Sequence, residues 1–230
     1  VIAVYEILPE YTKRPWKANR VFLASWTAST VMVMAVYPHH LLMDFVMPTW
    51  ALILGQIVSY TSGFPILVVT AFGALTIVHR SSIKWDMVSG LLFLSMFGWA
   101  VGVVPAVIDG TIAVNHVMHN TMWVPGHFHM YLIVGLVAML FGFKYYIVNQ
   151  GGETGFVDKA AFWMYAIGGT AFSVSFLISG YVSIPRRWAV HLPEWLGYSA
   201  WASGIAVFVA LAAAIFAVRF LTSQNQERTA

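Results

Sequence analysis

The sequence predicts an all-α fold, a polytopic transmembrane helix bundle, from three observations. Hydrophobic residues make up 60% of the 230 positions and charged residues only 9%, whereas an average soluble protein has about 25% charged residues. The mean hydropathy is accordingly high, at +0.76. Several apolar runs are long enough to cross a hydrocarbon layer, which takes about 20 helical residues, and none alternates strictly as a β-barrel strand does.

The apolar runs predict six membrane spans, at residues 21–43, 50–78, 88–108, 117–143, 160–183 and 197–220. Residues 1–8 resemble the last turns of a further, truncated helix, because the apolar run stops at Pro9 and a charged loop follows. We therefore expect the chain to be a fragment, with one membrane-embedded domain over residues 1–230 that includes a cytoplasmic tail at 221–230. The absence of cysteine excludes disulfides and thiolate metal sites.

The distribution of Lys and Arg predicts the orientation, since these residues accumulate in cytoplasmic loops. Ten of the twelve lie in one set of alternate loops, which we assign to the cytoplasm. The net charge of +3 is thus a topology signal and gives no reason to expect nucleic-acid binding. Arg186 and Arg187 lie on the opposite, outer side. Two interpretations remain open for this pair, contact with lipid headgroup phosphates or bidentate binding of cofactor carboxylates.

The segment MHNTMWVPGHFHM, residues 118–130, places three histidines in apolar surroundings in the outer half of the fourth predicted span. A helix turns by about 100° per residue, so His127 and His129 point roughly 200° apart and serve different partners. Two flat cofactors on either side of the helix, each taking one axial nitrogen, fit that spacing. The alternative is a set of hydrogen-bonded structural histidines.

A second histidine pair, His39 and His40, lies in VYPHHLLMDF near the outer end of the first predicted span. Adjacent residues point only about 100° apart on a helix, so the two imidazoles are able to share one metal ion. Imidazole suits copper, zinc, iron or nickel, and spacing does not choose among them. Ionisable groups within membrane spans indicate a functional site.

Together MHNTMWVPGHFHM, PHHLLMDF and the IPRR at residues 184–187 resemble subunit I of the heme-copper oxygen reductases, the cytochrome c oxidase family, and GHFH and IPRR are most similar to its B type. The resemblance covers the chain from Val1 to the last span and corresponds to the C-terminal half of such a subunit. It implies two hemes, one high-spin and one low-spin, and one copper ion. The implied reaction is four-electron reduction of dioxygen to water, with cytoplasmic protons consumed and some pumped outward.

The resemblance also implies ligand roles. His127 would bind the high-spin heme iron and His129 the low-spin heme iron, with Phe128 between the two hemes. His39 and His40 would be two of three copper ligands. The third copper histidine, its covalently linked tyrosine and the second low-spin ligand are expected in a segment before this chain; the alternative is a split subunit, in which a companion chain supplies that first half.

Arg186 and Arg187 would pair with heme propionates under the same resemblance, and His119 and Asn120 would lie near the propionates and ordered water. Asn120 replaces the aspartate that helps to bind magnesium in many members outside the B type, so we do not expect that ion. The implied partners are the rest of subunit I, an oxidase subunit II with an electron-accepting centre, a donor such as cytochrome c, and the bilayer of a bacterial or archaeal plasma membrane.

A proton path is implied from the inner end of the bundle toward the metals, through Tyr5, Thr70, Ser62 and Ser59. The competing interpretation is that these hydroxyls bond only to their own helix backbone or to a neighbouring helix.

Two alternative functions remain open. A nitric oxide reductase of the same superfamily shares the histidine layout but needs carboxylates near its second metal, and residues 50–78 contain none. A heme-binding membrane cytochrome that only transfers electrons gives His39 and His40 no role. A transporter is a weaker alternative, because the sequence has no pair of broken helices and no internal symmetry.

Overall fold

A computed structural model of the chain describes residues 2–43, 47–149 and 154–227. In these ranges the chain forms α1 (Ile2–Thr12), α2 (Arg20–Met34), α3 (Thr49–Val78), α4 (Met87–Asp109), α5 (Ile112–Met118), α6 (Trp123–His129), α7 (Ala138–Asn149), α8 (Phe156–Tyr181) and α9 (Leu196–Glu227). Short 3-10 helices cover Tyr37–Leu41 and Pro193–Trp195, and a π-helix covers Met130–Val137. No strand occurs in the described ranges, which confirms the predicted all-α fold.

Five helical segments are long and apolar enough to cross a membrane. They are Thr49–Val78, Met87–Asp109, Trp123–Val148, Phe156–Tyr181 and Pro193–Thr222, and they correspond to the second through sixth predicted spans. The first predicted span corresponds to α2, which has only 15 residues and falls below the length of a full crossing.

The boundaries predicted for the first span, 21–43, were wrong at the outer end. Helix α2 ends at Met34, and the chain tightens into the 3-10 helix Tyr37–Leu41. Pro38 explains the change, because it has no backbone N–H and disfavours α geometry in the residue before it. His39 and His40 therefore lie in a tight turn.

The fourth span, predicted at 117–143, also begins later than expected. Helix α5 ends at Met118, a turn follows, and α6 begins at Trp123. The turn at 119–122 forms because its backbone bonds to the segment after α8, where the Met122 N–H donates to the Ile184 carbonyl over 2.9 Å. His119 consequently lies before the membrane span.

The two ends of the chain also differ from the prediction. Helix α1 continues through Pro9 to Thr12, and the Thr12 hydroxyl donates to the Leu8 carbonyl over 3.0 Å, which supports the last turn. At the other end α9 extends to Glu227, so residues 221–227 of the predicted tail are helical. Residues 228–230 lie outside the described ranges.

Two clusters of buried apolar side chains hold the inner half of the bundle. One joins α1, α3 and α4 around Leu8, Ala74 and Leu92, and the other joins α4, α7, α8 and α9 around Tyr165 and Phe216. At the inner end of the second cluster, Arg219 forms a bidentate ion pair with the buried Asp158, with N–O distances of 3.0 and 2.7 Å. This pair fixes α9 against α8.

Candidate metal centre

Helix α6 carries both members of the His-x-His motif and is regular from Trp123 to His129. It passes directly into the π-helix Met130–Val137. π-helical turns are rare and occur frequently at functional sites. No pattern in the sequence predicted this one, because the apolar residues of 130–137 fit an ordinary α-helix equally well.

Two glycines allow α6 and α8 to approach so closely that their backbones are nearly in contact. A Cβ atom at Gly126 would lie 2.7 Å from Leu177 Cδ2, and a Cβ atom at Gly180 would lie only 2.0 Å from the Trp123 nitrogen. Small residues permit such close approach between membrane helices. The start of α6 is therefore fixed in position by contact with α8.

We expect Gly180→Ala to displace α6 and destabilise the bundle, because the added methyl group overlaps backbone atoms. Overpacking of this kind costs about 1–3 kcal/mol or more. Thermal unfolding of the purified complex checks the result, with Gly204→Ala in α9 as the matched control, since a Cβ atom there meets nothing within 4 Å. Equal unfolding temperatures for the two variants would contradict the close approach.

His129 faces α8. Its ring packs edge-on against Phe172 and Phe176, with centroid distances of 5.3 and 5.2 Å. Its Nδ1 lies 2.7 Å from the Pro125 carbonyl oxygen. A carbonyl only accepts, so Nδ1 carries the proton and donates it, which leaves the Nε2 lone pair available to a metal.

His127 faces the other flank of α6. Its ring lies edge-on to Tyr131 with a centroid distance of 6.0 Å, and it interacts electrostatically with His39, His40 and Arg186. Its Nδ1 is buried and has no hydrogen-bond partner among the described residues. The two imidazoles of the motif thus have different surroundings on two flanks of one helix.

Phe128, between these two histidines in sequence, is 53% exposed. Its ring centroid lies 5.7 Å from that of His129. The side chain therefore projects outward from the described helices.

The His39 and His40 rings lie together, with centroids 5.3 Å apart. His39 Nδ1 is 2.6 Å from Ser59 Oγ, and Ser59 donates its hydroxyl proton to the Gly55 carbonyl over 2.6 Å. Because a serine has one hydroxyl proton, His39 Nδ1 is the donor and its Nε2 is free to bind a metal. In the described ranges no three His, Cys, Asp or Glu residues gather in metal-binding geometry.

The turn before α6 and the segment after α8 are joined by backbone hydrogen bonds. Besides the bond from Met122 to Ile184, the Arg186 N–H donates to the Asn120 carbonyl over 2.9 Å, and Asn120 itself is exposed. This connection brings the arginine pair to the outer end of the histidine helix. Arg187 is exposed and adopts a left-handed φ of 67°.

Arg186 is half-buried beside an acidic group that the sequence analysis missed. Burial and the neighbouring Arg187 lower the pKa of Arg186, whereas the carboxyl group of Asp109 opposes the change. Asp109 is 2% exposed and accepts hydrogen bonds from Asn115 at its main-chain and side-chain oxygens, over 2.8 and 3.4 Å. Arg186 Nε is buried without a hydrogen-bond partner in the described part of the chain. His119, half-buried at the end of α5, interacts electrostatically with His39.

The expected proton-path residues fall into two groups. Tyr5 and Thr70 share a hydrogen bond between α1 and α3, and Trp26 Nε1 donates to the Tyr5 hydroxyl over 3.1 Å. At the outer end of α3, Ser59 bonds to His39, and Ser62 donates to the Ser59 carbonyl over 3.2 Å. Ser62 and Thr70 line one largely apolar cavity of about 580 Å³ that lies between the two groups.

The fold and the site define an α-helical membrane protein with paired imidazoles at one end of its bundle. The sequence matches the profile of the family described as "Cytochrome C and Quinol oxidase polypeptide I" over residues 1–223. The chain belongs to this family, which confirms the family resemblance found in the sequence.

Individual relatives agree with this assignment. The chain is 25% identical over 193 residues to "Cytochrome c oxidase polypeptide 1" of Halobacterium salinarum, covering 82% of the chain and 32% of the relative. It is 24% identical over 223 residues to "Cytochrome c oxidase subunit 1" of Cereibacter sphaeroides, covering 93% and 38%. It is 27% identical over 201 residues to "Probable quinol oxidase subunit 1" of Staphylococcus aureus, covering 82% and 29%. The chain thus spans about a third of the length of these relatives.

A solved structure shares the fold. It is described as "Cryo-EM structure of a heme-copper terminal oxidase dimer provides insights into its catalytic mechanism", and it superposes with a TM-score of 0.81 at 21% sequence identity. The superposition covers 96% of this chain and 45% of the other.

Proposed function

We propose that this chain is part of the catalytic subunit of a terminal respiratory oxidase that reduces dioxygen to water and translocates protons. The observation that carries the proposal is the separation of His127 and His129 onto two flanks of α6, with His39 and His40 in electrostatic range of His127 while His129 packs against Phe172 and Phe176. This arrangement would provide ligands for two hemes, one on each flank of α6, and for a second metal ion beside one of these hemes. The names of the relatives, cytochrome c and quinol oxidases, support the same reaction class.

The residues of the chain fit the two hemes of such an enzyme. His129 presents Nε2 because its Nδ1 proton is bonded to Pro125, as in most metal-binding histidines. Arg186 has a buried Nε without a partner in the described ranges, which suits a propionate carboxylate. The resident hemes and copper supply electron transfer to dioxygen, while the chain positions the ligands and provides cations and protons around them.

The residues also fit copper at His39 and His40. The hydrogen bond to Ser59 fixes the tautomer and the ring orientation of His39, so Ser59 is a positioning residue. The third copper ligand and the second ligand of the low-spin heme come, in this proposal, from protein outside these residues.

Ser59→Ala is expected to weaken copper binding by about 10- to 100-fold, as loss of a hydrogen bond to a metal-bound histidine generally does. Copper occupancy of the purified complex, titrated against a chelator, measures the effect. Ser62→Ala is the matched control, since the Ser62 hydroxyl donates to the Ser59 carbonyl and the structure records no bond from it to a histidine in the described ranges. Equal copper occupancy in both variants would show that the hydrogen bond does not position the ligand.

The hydrogen-bonded pair Tyr5 and Thr70 supports a proton path from the inner side. From Thr70 to Ser59 the helix rises about 16 Å, and the cavity of about 580 Å³ that Thr70 and Ser62 line extends over part of this distance. Tyr5→Phe removes the hydroxyl and is expected to slow proton uptake and turnover by about tenfold or more, with heme spectra unchanged. Thr61→Val is the control, because the Thr61 hydroxyl donates to carbonyls of its own helix, those of Ile57 and Val58. Unchanged proton uptake in Tyr5→Phe would exclude this path.

Finer assignments follow from the sequence motifs. GHFH, IPRR and Asn120 favour a B-type oxidase of a bacterial or archaeal plasma membrane. The proposed electron donor is a cytochrome c-like protein acting through a subunit II, with the outer loop near Arg186 and Arg187 on the donor side.

Heme and copper analysis of the native complex, combined with gas-consumption assays, tests the function. We expect two hemes and one copper ion per complex, and rapid consumption of dioxygen. A non-heme iron in place of copper together with nitric oxide consumption would replace the proposal by a nitric oxide reductase. Two hemes without a second metal and without gas consumption would leave an electron-transfer cytochrome.

A further inference from the structure

A groove of about 850 Å³ lies between the inner ends of α4 and α8, away from the histidines. Its mouth is formed by Lys84, Trp85, Thr154 and Lys159, and its walls continue along Phe93, Leu94, Phe97, Phe162 and Ala166. No part of the proposed oxidase chemistry uses this groove.

The mouth of the groove is cationic. Lys84 and Lys159 are both exposed, and in the described ranges the structure records no ion pair for either of them. The one acidic side chain that lines the groove in this part of the chain is Asp86, which accepts hydrogen bonds from two neutral donors, the Ser89 N–H and the Tyr11 hydroxyl, each over 3.0 Å, and so keeps its negative charge. Among the described residues that line the groove, two ammonium groups and one carboxylate leave a net charge of +1, which suits an anion.

The depth of the groove matches one leaflet of a bilayer. Met87 and Phe97 are ten residues apart on α4, which is about 15 Å of helix and half of the roughly 30 Å hydrocarbon thickness. Trp85 and Trp163 line the groove toward its mouth and are 58% and 62% exposed. Tryptophans are expected at the interface between headgroups and acyl chains. The charge is thus at headgroup level and the apolar wall at acyl-chain level.

We propose that this groove binds one anionic phospholipid of the inner leaflet, with its phosphate between Lys84 and Lys159 and an acyl chain along Phe93, Phe97 and Phe162. Basic groups at the cytoplasmic ends of membrane helices attract anionic lipid headgroups. A neutral lipid or the apolar face of another subunit would leave the two lysines without a counter-ion. The inference depends on the membrane orientation and is independent of the oxygen chemistry.

Native mass spectrometry of the whole complex in nanodiscs tests the site. With phosphatidylglycerol as the probe, we expect the double variant Lys84→Gln and Lys159→Gln to bind this lipid about 25-fold more weakly, at about fivefold per basic residue, with phosphatidylcholine binding unchanged. The control is Lys13→Gln with Lys17→Gln, which removes the same charge from the same side outside the groove. Equal loss in both double variants, or no loss in the first, would overturn the proposal.

A photocrosslinking residue at Phe97 provides a second measurement that does not depend on the lysine variants folding. Phe97 is 46% exposed and lines the groove, so the groove has room for the additional benzoyl group of p-benzoylphenylalanine at this position. We expect illumination to add the mass of a phosphatidylglycerol. Attachment to another polypeptide, or to phosphatidylcholine and phosphatidylglycerol in proportion to their abundance, would contradict specific binding of the anionic lipid.

Discussion

Replacing His129 with leucine is expected to remove the low-spin heme spectrum and keep the high-spin heme, whereas His127→Leu is expected to do the reverse. The reason is geometric. His129 packs against Phe172 and Phe176 of α8, while His127 faces Tyr131 and the His39–His40 pair. Each imidazole serves one flank, so neither is able to substitute for the other.

Reduced-minus-oxidised spectra of the purified complex, with and without carbon monoxide, distinguish the two variants. Carbon monoxide binds only a heme iron with an open axial position, so its spectrum reports the high-spin site. Both variants should lose oxygen consumption by more than about a hundredfold, since loss of a ligand exceeds the 10- to 100-fold effect of losing its hydrogen-bond partner. His191→Leu is the control, because this exposed residue lies in the outer loop and bonds to Ser199 at the start of α9. Loss of the same heme in both variants would refute the two-flank arrangement.

His40→Ala is expected to abolish copper binding and oxygen consumption while both hemes remain. The His39 and His40 ring centroids are 5.3 Å apart, whereas the imidazole assigned to the low-spin heme, His129, packs against Phe172 and Phe176 of α8. Removing one of a few imidazole ligands leaves copper with an incomplete set. Metal analysis of the purified complex and heme spectra measure the two outcomes separately.

His116→Ala is the matched control for this substitution, because His116 is an exposed histidine at the outer side that belongs to α5. Full copper content in His40→Ala would exclude His40 as a ligand. Loss of both hemes together with the copper would indicate misfolding, and Ser59→Ala, which leaves both imidazoles in place, then decides whether this turn holds the metal.

The membrane helices were predictable from the sequence because their apolar runs are long. The errors concern helix boundaries that are set by contacts between backbone segments. Pro38 was visible, but the tight turn that it starts depends on packing: a Cβ atom at Gly55 would lie 2.9 Å from the Pro38 carbonyl oxygen. The turn at 119–122 depends on a bond to Ile184, more than sixty residues further along the chain. Local sequence does not indicate which distant residues will bond to each other.

The same division between local and long-range interactions applies to the candidate site. The flanks of His127 and His129 were predictable, since α6 is regular over that segment and the rotation per residue applies. The bond between His39 and Ser59 and the position of Asp109 beside Arg186 were not, because they join separate helices. The one sequence signal for Asp109 was its position as an acidic residue at the end of an apolar span.

The π-helix at Met130–Val137 sets how this region tolerates changes in length. Its wider turns rotate α7 out of phase with α6, so the faces of the two segments do not line up as in a continuous α-helix. A π turn holds one residue more than an α turn, so deleting one residue there lets the segment return to α geometry with the imidazoles and α7 close to their present phase. Between the histidines and the inner end of the span, loss of one residue is therefore accommodated, whereas in a regular α-helix it would turn the imidazoles by about 100°.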